Sequence, residues 1–281
     1  MPAEALRFAI HRVDLFERAT SLRLPFRFGA ATVTEAPQAF VRVELAFADG
    51  RRAEGCTAEL MVPKWFDKRP SLDNDASIAQ LRLSLALAAE AYLADTVARS
   101  AFAHAASRLP ALVAEGARHD LPPLVCAFGA AQLDKAILDA LCRHLDRSFF
   151  DAVRGNAIGL DANAVASLAP DLADVDFDAA LAAFVPARSI ECRHTVGMAD
   201  ALAADEAPIN DGLPATLEDA IAAYGLRWFK LKLAGDIDAD VARLERIALI
   251  LDRLPSYGAT LDGNEQYAPG ARAAFVERLQ A

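Results

Sequence analysis

From about residue 188 onward the sequence alternates between short apolar runs and amphipathic helical runs, and this alternation constrains the fold more than any other feature. "SIECRHTVGM" (189–198) reads as a strand. "TLEDAIAAYG" (216–225) reads as a helix with Thr216 as its N-cap and Gly225 as its stop. "WFKLKLAG" (228–235) is a second strand and "DADVARLERIALILDRLP" (238–255) an amphipathic helix closed by Pro255. "YGATLDGNEQY" (257–267) is a third strand, and "GARAAFVERLQA" (270–281) begins a third helix. Strands joined by helices of this length lie parallel and cross over right-handedly, so the segment reads as three β/α units.

The chain before this point has a different character. Residues 6–62 read as β: "FAIHRVDLF" and "AFVRVELAF" are strands, and Val41, Val43, Leu45 and Phe47 share one face of the second. "ADGR" (48–51) is a hairpin turn into a third strand. "SLRLPFRFGAATVTEAP" (21–37) reads as a long connection carrying Phe26 and Phe28, either a lid over a site or a packed surface loop. Residues 75–150 are rich in Ala and Leu and read as helical. The expected organisation is an α+β N-terminal domain with a long helical insertion over residues 1–187, then an α/β domain over 188–281.

Composition removes several classes of function. A formal net charge of −10 argues against nucleic acid and anionic membrane surfaces as partners. The first twenty residues carry charges throughout, unlike a secretory leader, and the most apolar window, "LRLSLALAAEAYLA", is broken by Glu90 and too short to span a bilayer. Cys56, Cys126, Cys142 and Cys192 show no ligand spacing and are expected to be small buried residues with free thiols, in a cytoplasmic protein. His104, His119 and His144 lack partners at ligand spacing and read as surface or satisfied core residues.

The chemistry lies in the second and third strands of the alternating segment. Residues i and i+2 of a strand point to one side, so Phe229, Leu231 and Leu233 can pack under helices while Trp228, Lys230, Lys232 and Ala234 face the other way. Lysine is seldom buried; the two lysines are either simply solvated or part of a site. One β/α unit later, Asp262 and Asn264 flank Gly263, and adjacent parallel strands would bring them beside the lysines. Carboxylate and amide oxygens suit a hard cation such as Mg²⁺, and a lysine next to another positive charge can serve as a base. An Asp-Gly turn at a strand end is the plainer alternative.

With K-x-K at Lys230 and Lys232, D-x-N at Asp262 and Asn264, "RHTVG" at 193–197 and the segment "LRLPFRFGAATVTEAPQAFVRVELAFADGR", the chain resembles the enolase superfamily, in its mandelate racemase and muconate lactonizing branch. The resemblance implies a capping domain followed by a (β/α) barrel. It also implies Mg²⁺-dependent abstraction of a proton α to a carboxylate, as in a racemase, epimerase, cycloisomerase or acid dehydratase. By this resemblance Lys232 is the general base, and Lys230 beside it favours the base form and neutralises a substrate carboxylate oxygen. Asp262 is the first metal ligand, Asn264, Phe26 and Phe28 line the substrate site, and the complete enzyme is a homo-oligomer.

A β/α barrel takes about 250 residues, and only about three of its units lie within 188–281. The family's further carboxylate ligands, on the fourth and fifth barrel strands, have no counterpart in this sequence. The chain alone is therefore expected to bind Mg²⁺ weakly or not at all and to be inactive. Two other readings stay open: a non-catalytic α/β module whose lysines hold a small anion, and a structural subunit that completes its barrel with another chain.

Overall fold

A computed structural model describes residues 5–29, 31–166 and 168–280. In chain order the first strands are β1 (Phe8–Arg18), β2 (Ser21–Phe28), β3 (Ala31–Glu35), β4 (Gln38–Phe47) and β5 (Arg52–Leu60). Three long helices follow, α1 (Asn74–Leu93), α2 (Ala101–Arg118) and α3 (Pro123–Leu145), then the short α4 (Phe149–Arg154), α5 (Ala162–Ala166) and α6 (Phe177–Ala182). The alternating segment gives β6 (Arg193–Val196), α7 (Leu217–Tyr224), β7 (Trp228–Lys232), α8 (Ile237–Leu251), β8 (Gly258–Asp262) and α9 (Pro269–Gln280). Two compact units result: the chain up to Thr20 with Ala36–Pro186, and Ser21–Glu35 with the chain from Ala187 onward.

In the first unit β1, β4 and β5 form an antiparallel sheet in the order β1-β4-β5. Val41, Val43, Leu45 and Phe47 turn inward from β4 and meet Leu81 and Leu85 of α1 and Leu133 and Ile137 of α3 in one core. Alternation of apolar and polar residues along β4 dictates this: one face must be dehydrated, and the helices supply the apolar cover.

The core edge carries a titratable pair. Tyr92 Oη donates to Asp134 Oδ1 at 2.8 Å. Burial raises the Asp134 carboxyl to about 6, and the Tyr92 hydroxyl offsets this only in part. Because the folded value lies above the unfolded one, near 4, the associated stability is present in full below pH 4 and is lost as pH rises through 6. Asp134→Asn is expected to stabilise the first unit by about 2 kcal/mol at pH 8 and by almost nothing at pH 4. Urea unfolding at the two pH values measures this; equal gains at both would refute the assignment.

Several sequence expectations change in the structure. The segment read as a long connection is a hairpin, in which β2 and β3 pair antiparallel with Phe26 opposite Val33 and Phe28 opposite Ala31. Its two halves alternate with period two, so each makes a strand, and Gly29 takes φ +51° to turn the chain. Of the cysteines, Cys126 is buried, Cys142 is partly covered, and Cys56 and Cys192 are exposed, so burial holds for one alone among the four. His104 is fully buried, with Nε2 2.8 Å from the Phe8 carbonyl oxygen, yet its Nδ1 finds no partner among the described residues. Among the described residues no helix is long and apolar enough to cross a membrane.

In the second unit β6, β7 and β8 form a parallel sheet in the order β6-β7-β8. Val196, Phe229 and Leu231 pack on Leu217, Ala220, Ile247 and Leu251 from α7 and α8. Leu233 continues that layer against Val241 and Phe275. α7 is capped at both ends: Thr216 Oγ1 accepts from the Asp219 amide at 3.1 Å, and Gly225 ends the helix at φ +61°. Register sets Thr195 beside Lys230 beside Thr260, and Lys232 beside Asp262, on the sheet face opposite the helices.

Candidate active site at the ends of β7 and β8

Lys232 ends β7 and Asp262 ends β8, directly across the parallel register. The Lys232 ammonium donates to Asp262 Oδ2 at 2.8 Å and to Asn264 Oδ1 at 2.8 Å. Lys230 Nζ lies 2.6 Å from the same Asp262 Oδ2. Two ammonium groups thus converge on one carboxylate oxygen. The Lys232 side chain is 2% exposed and that of Lys230 27%. Solvation therefore does not explain Lys232.

Strand alternation is not what places Asn264. β8 stops at Asp262, and Asn264 and Glu265 take φ +46° and +64°, in the left-handed region. The Asn264 amide donates to Asp262 Oδ1 at 3.0 Å, an Asx turn that folds the chain back and brings the Asn264 side chain to Lys232. Burial by itself would raise the Asp262 carboxyl, but hydrogen bonds from Lys230 and Lys232 and the Asn264 amide hold it well below the usual carboxylate range.

The hairpin tip lies beside this cluster. A Cβ built on Gly29 would sit 3.3 Å from Gln266 Nε2 and 3.9 Å from Asn264 Cβ. The Met198 amide, after β6, donates to the Arg27 carbonyl at 3.3 Å. Phe26 does not join the lysines; it lines a cavity of about 350 Å³ with His194, Val196, Asp200, Thr216 and Leu217. Phe28 is 3% exposed, with its ring centroid 5.6 Å from that of Phe26.

Around Asp262 both carboxylate oxygens already accept hydrogen bonds, Asn264 Oδ1 accepts from Lys232, and the nearest charges are two ammonium groups. No group of three His, Cys, Asp or Glu side chains able to hold a metal occurs among the described residues. A divalent cation that keeps near-octahedral oxygen coordination needs more anionic donors than this. The residues described do not fit Mg²⁺ by themselves. They fit an anion better: two ammonium groups meet one carboxylate, and Arg193 lies on the same sheet face with its Nη1 donating to Thr260 Oγ1 at 3.3 Å.

Residues not singled out in the sequence complete the surroundings. Asp240, 4% exposed, accepts from the amides of Ala234 and Gly235 at 2.8 and 2.9 Å and from the Tyr267 hydroxyl. Arg243 Nη2 donates to the carbonyls of Gly197 and Asp200 at 2.8 and 2.9 Å. A signal existed for both. Asp240 lies four residues before Leu244 and seven before Ile247, and Arg243 four before Ile247, so each interrupts the buried stripe of α8. A charge on a buried stripe needs a partner.

No protein-family model matches the chain, and no curated protein matches it by sequence. Solved structures do. A dipeptide epimerase from Methylococcus capsulatus, complexed with Mg and the dipeptide L-Arg-D-Lys, superposes with a TM-score of 0.52 at 19% identity, over 97% of this chain and 58% of that one. An enolase from Bradyrhizobium complexed with magnesium and mandelic acid gives 0.58 at 16% identity, over 98% and 59%. A mandelate racemase/muconate lactonizing protein from Herpetosiphon aurantiacus gives 0.52 at 19% identity, over 100% and 58%. The chain thus spans a little under three fifths of the length of these proteins, and over that span it shares the fold of these solved structures.

Proposed function

We propose that the chain is part of a protein that abstracts the proton α to a carboxylate, with Lys232 as the base, and that the residues described, which hold no group of three His, Cys, Asp or Glu able to bind a metal, do not carry out the reaction alone. The observation that carries the reading is the Lys232 ammonium, held out of solvent between Asp262 and Asn264 with Lys230 beside it. In the step, the substrate Cα–H bond breaks, a neutral Lys232 Nζ takes the proton, and the electron pair moves into the carboxylate to give an enediolate. Lys230, partly open to solvent, supplies positive charge to one carboxylate oxygen. Returning the proton to either face gives racemisation or epimerisation; expelling a β-substituent gives elimination or cycloisomerisation. Mg²⁺ belongs to this reading only with Asp262 as one member of a larger donor set. In this reading residues 188–281 are the chemical part and 1–187 the cap, from which the hairpin Ser21–Glu35 packs with the chemical part.

The fold's solved relatives point to candidate substrates, dipeptides and 2-hydroxy acids such as mandelic acid. Incubation of the full-length protein with these acids and Mg²⁺ in D₂O is expected to wash deuterium into the α-position, seen by proton NMR. A panel of such acids with no exchange in any of them would count against the reading.

The donor set favours a second reading, a module that binds a small carboxylate without metal. Calorimetric titration with the same acids in the presence and absence of EDTA separates the two. Binding that ignores EDTA, without deuterium exchange, would support the module.

A further inference from the structure

We infer that Asp240 is a positioning residue: its buried carboxylate ties the loop after β7 to the loop after β8 and so sets the distance between Lys232 and its partners Asp262 and Asn264. The functional meaning of that distance rests on the reading proposed above, whereas the tie itself does not.

The geometry is specific. Asp240 sits in the first turn of α8, but the N-cap position is already filled by Asp236, whose Oδ1 accepts from the Ala239 amide at 3.0 Å. Asp240 points instead under the strand ends. Its Oδ1 accepts from the Ala234 amide at 2.8 Å and its Oδ2 from the Gly235 amide at 2.9 Å, two and three residues beyond Lys232. The Tyr267 hydroxyl, from the loop that carries Asn264, donates to the same Oδ2. Burial, then the bond to Asp240, pushes the Tyr267 phenol up, so it remains a donor at neutral pH.

The two loops also touch where Asp240 joins them. Gly235 takes φ +93°, and a Cβ there would lie 2.7 Å from Gln266 Cβ and 2.9 Å from its carbonyl oxygen. Only glycine allows both that backbone conformation and that approach. One turn along the same helix, Arg243 holds the loop after β6 through the carbonyls of Gly197 and Asp200. α8 therefore braces all three loops at the ends of β6, β7 and β8, with Asp240 serving the two that bear Lys232 and Asn264. A carboxylate accepting several hydrogen bonds out of water is worth more than neutral contacts of the same number.

The test reads the accessibility of Lys232 and needs neither substrate nor metal, so it can fail or succeed independently of the proposed reaction. The folded full-length protein is labelled briefly with an N-hydroxysuccinimide ester of acetic acid at pH 8, and acetylation of Lys232 relative to Lys135 is measured by peptide mass spectrometry. In Asp240→Asn the ratio is expected to rise about tenfold, the size that follows when the hydrogen bonds restraining a loop are lost. Tyr267→Phe, which removes one hydroxyl and leaves the fold, is expected to raise it by a smaller factor. Leu251→Ala destabilises the core of the second unit without touching either loop and is expected to leave the ratio unchanged. The inference is overturned by an unchanged ratio in Asp240→Asn and Tyr267→Phe, or by an equal rise in Leu251→Ala. If Asp240→Asn does not fold, Tyr267→Phe against Leu251→Ala decides.

Discussion

Replacing Lys232 by alanine is expected to lower α-deuterium incorporation by about 10³-fold, the range in which a positioned general base contributes. The loss should fall on the exchange rate and much less on binding, because Lys230 remains 2.6 Å from Asp262 to meet an anion. Lys232→Met preserves the buried stem and removes only the charge; it should be as inactive as the alanine variant and fold better. Circular dichroism establishes the fold, and proton NMR in D₂O measures the exchange. Exchange within threefold of the parent in both variants would remove Lys232 from the base role.

The second large effect is on stability. Asp262→Ala removes the carboxylate from an ammonium whose side chain is 2% exposed. Breaking a buried pair from one side is costly because the remaining charge stays dehydrated, and about 3 kcal/mol is expected here, at the low end for such pairs because Asp262 itself is 23% exposed. The double variant Asp262→Ala with Lys232→Met should recover most of the loss, since the buried ammonium is then gone and the charge left without its carboxylate, on Lys230, is partly exposed to solvent. Denaturant unfolding of the parent, the two single variants and the double variant forms the required cycle. If the double variant is no more stable than Asp262→Ala, the pair is not what holds the strand ends together.

These two expectations pull in different directions on Asp262. As the structure stands, the carboxylate is neutralised by two lysines and an amide, an arrangement that suits the resting pair. A carboxylate so engaged is a poor metal donor, which is why the described donor set matches an anion better than a cation. The same geometry explains why an EDTA comparison is informative.

Much of this was legible in the sequence. Period-two alternation in "WFKLK" put Phe229 and Leu231 on one side and Lys230 and Lys232 on the other, because a strand has no other way to present its side chains. The strand-helix alternation gave a parallel sheet in sequential order, and that order set Asp262 across from Lys232. Thr216 and Gly225 delimited α7 through local hydrogen bonding and a left-handed stop, both of which are properties of a few neighbouring residues.

Other features could not be read locally. The segment from 21 to 37 pairs with itself as a hairpin, and Phe26 turns to a cavity beside β6; both depend on what the rest of the unit leaves uncovered. Asn264 reaches Lys232 through a left-handed turn and not through strand alternation. Asp240 could be suspected from its place on an apolar stripe, but its partners, Ala234, Gly235 and Tyr267, belong to two loops that only the packed sheet brings to one carboxylate. The sequence by itself determined which side chains share a strand face and which strands are neighbours, because those follow from short-range backbone geometry. Tertiary structure alone decided that Lys232 is buried and paired while Lys230 stays partly wet, because desolvation depends on atoms that arrive from distant parts of the chain.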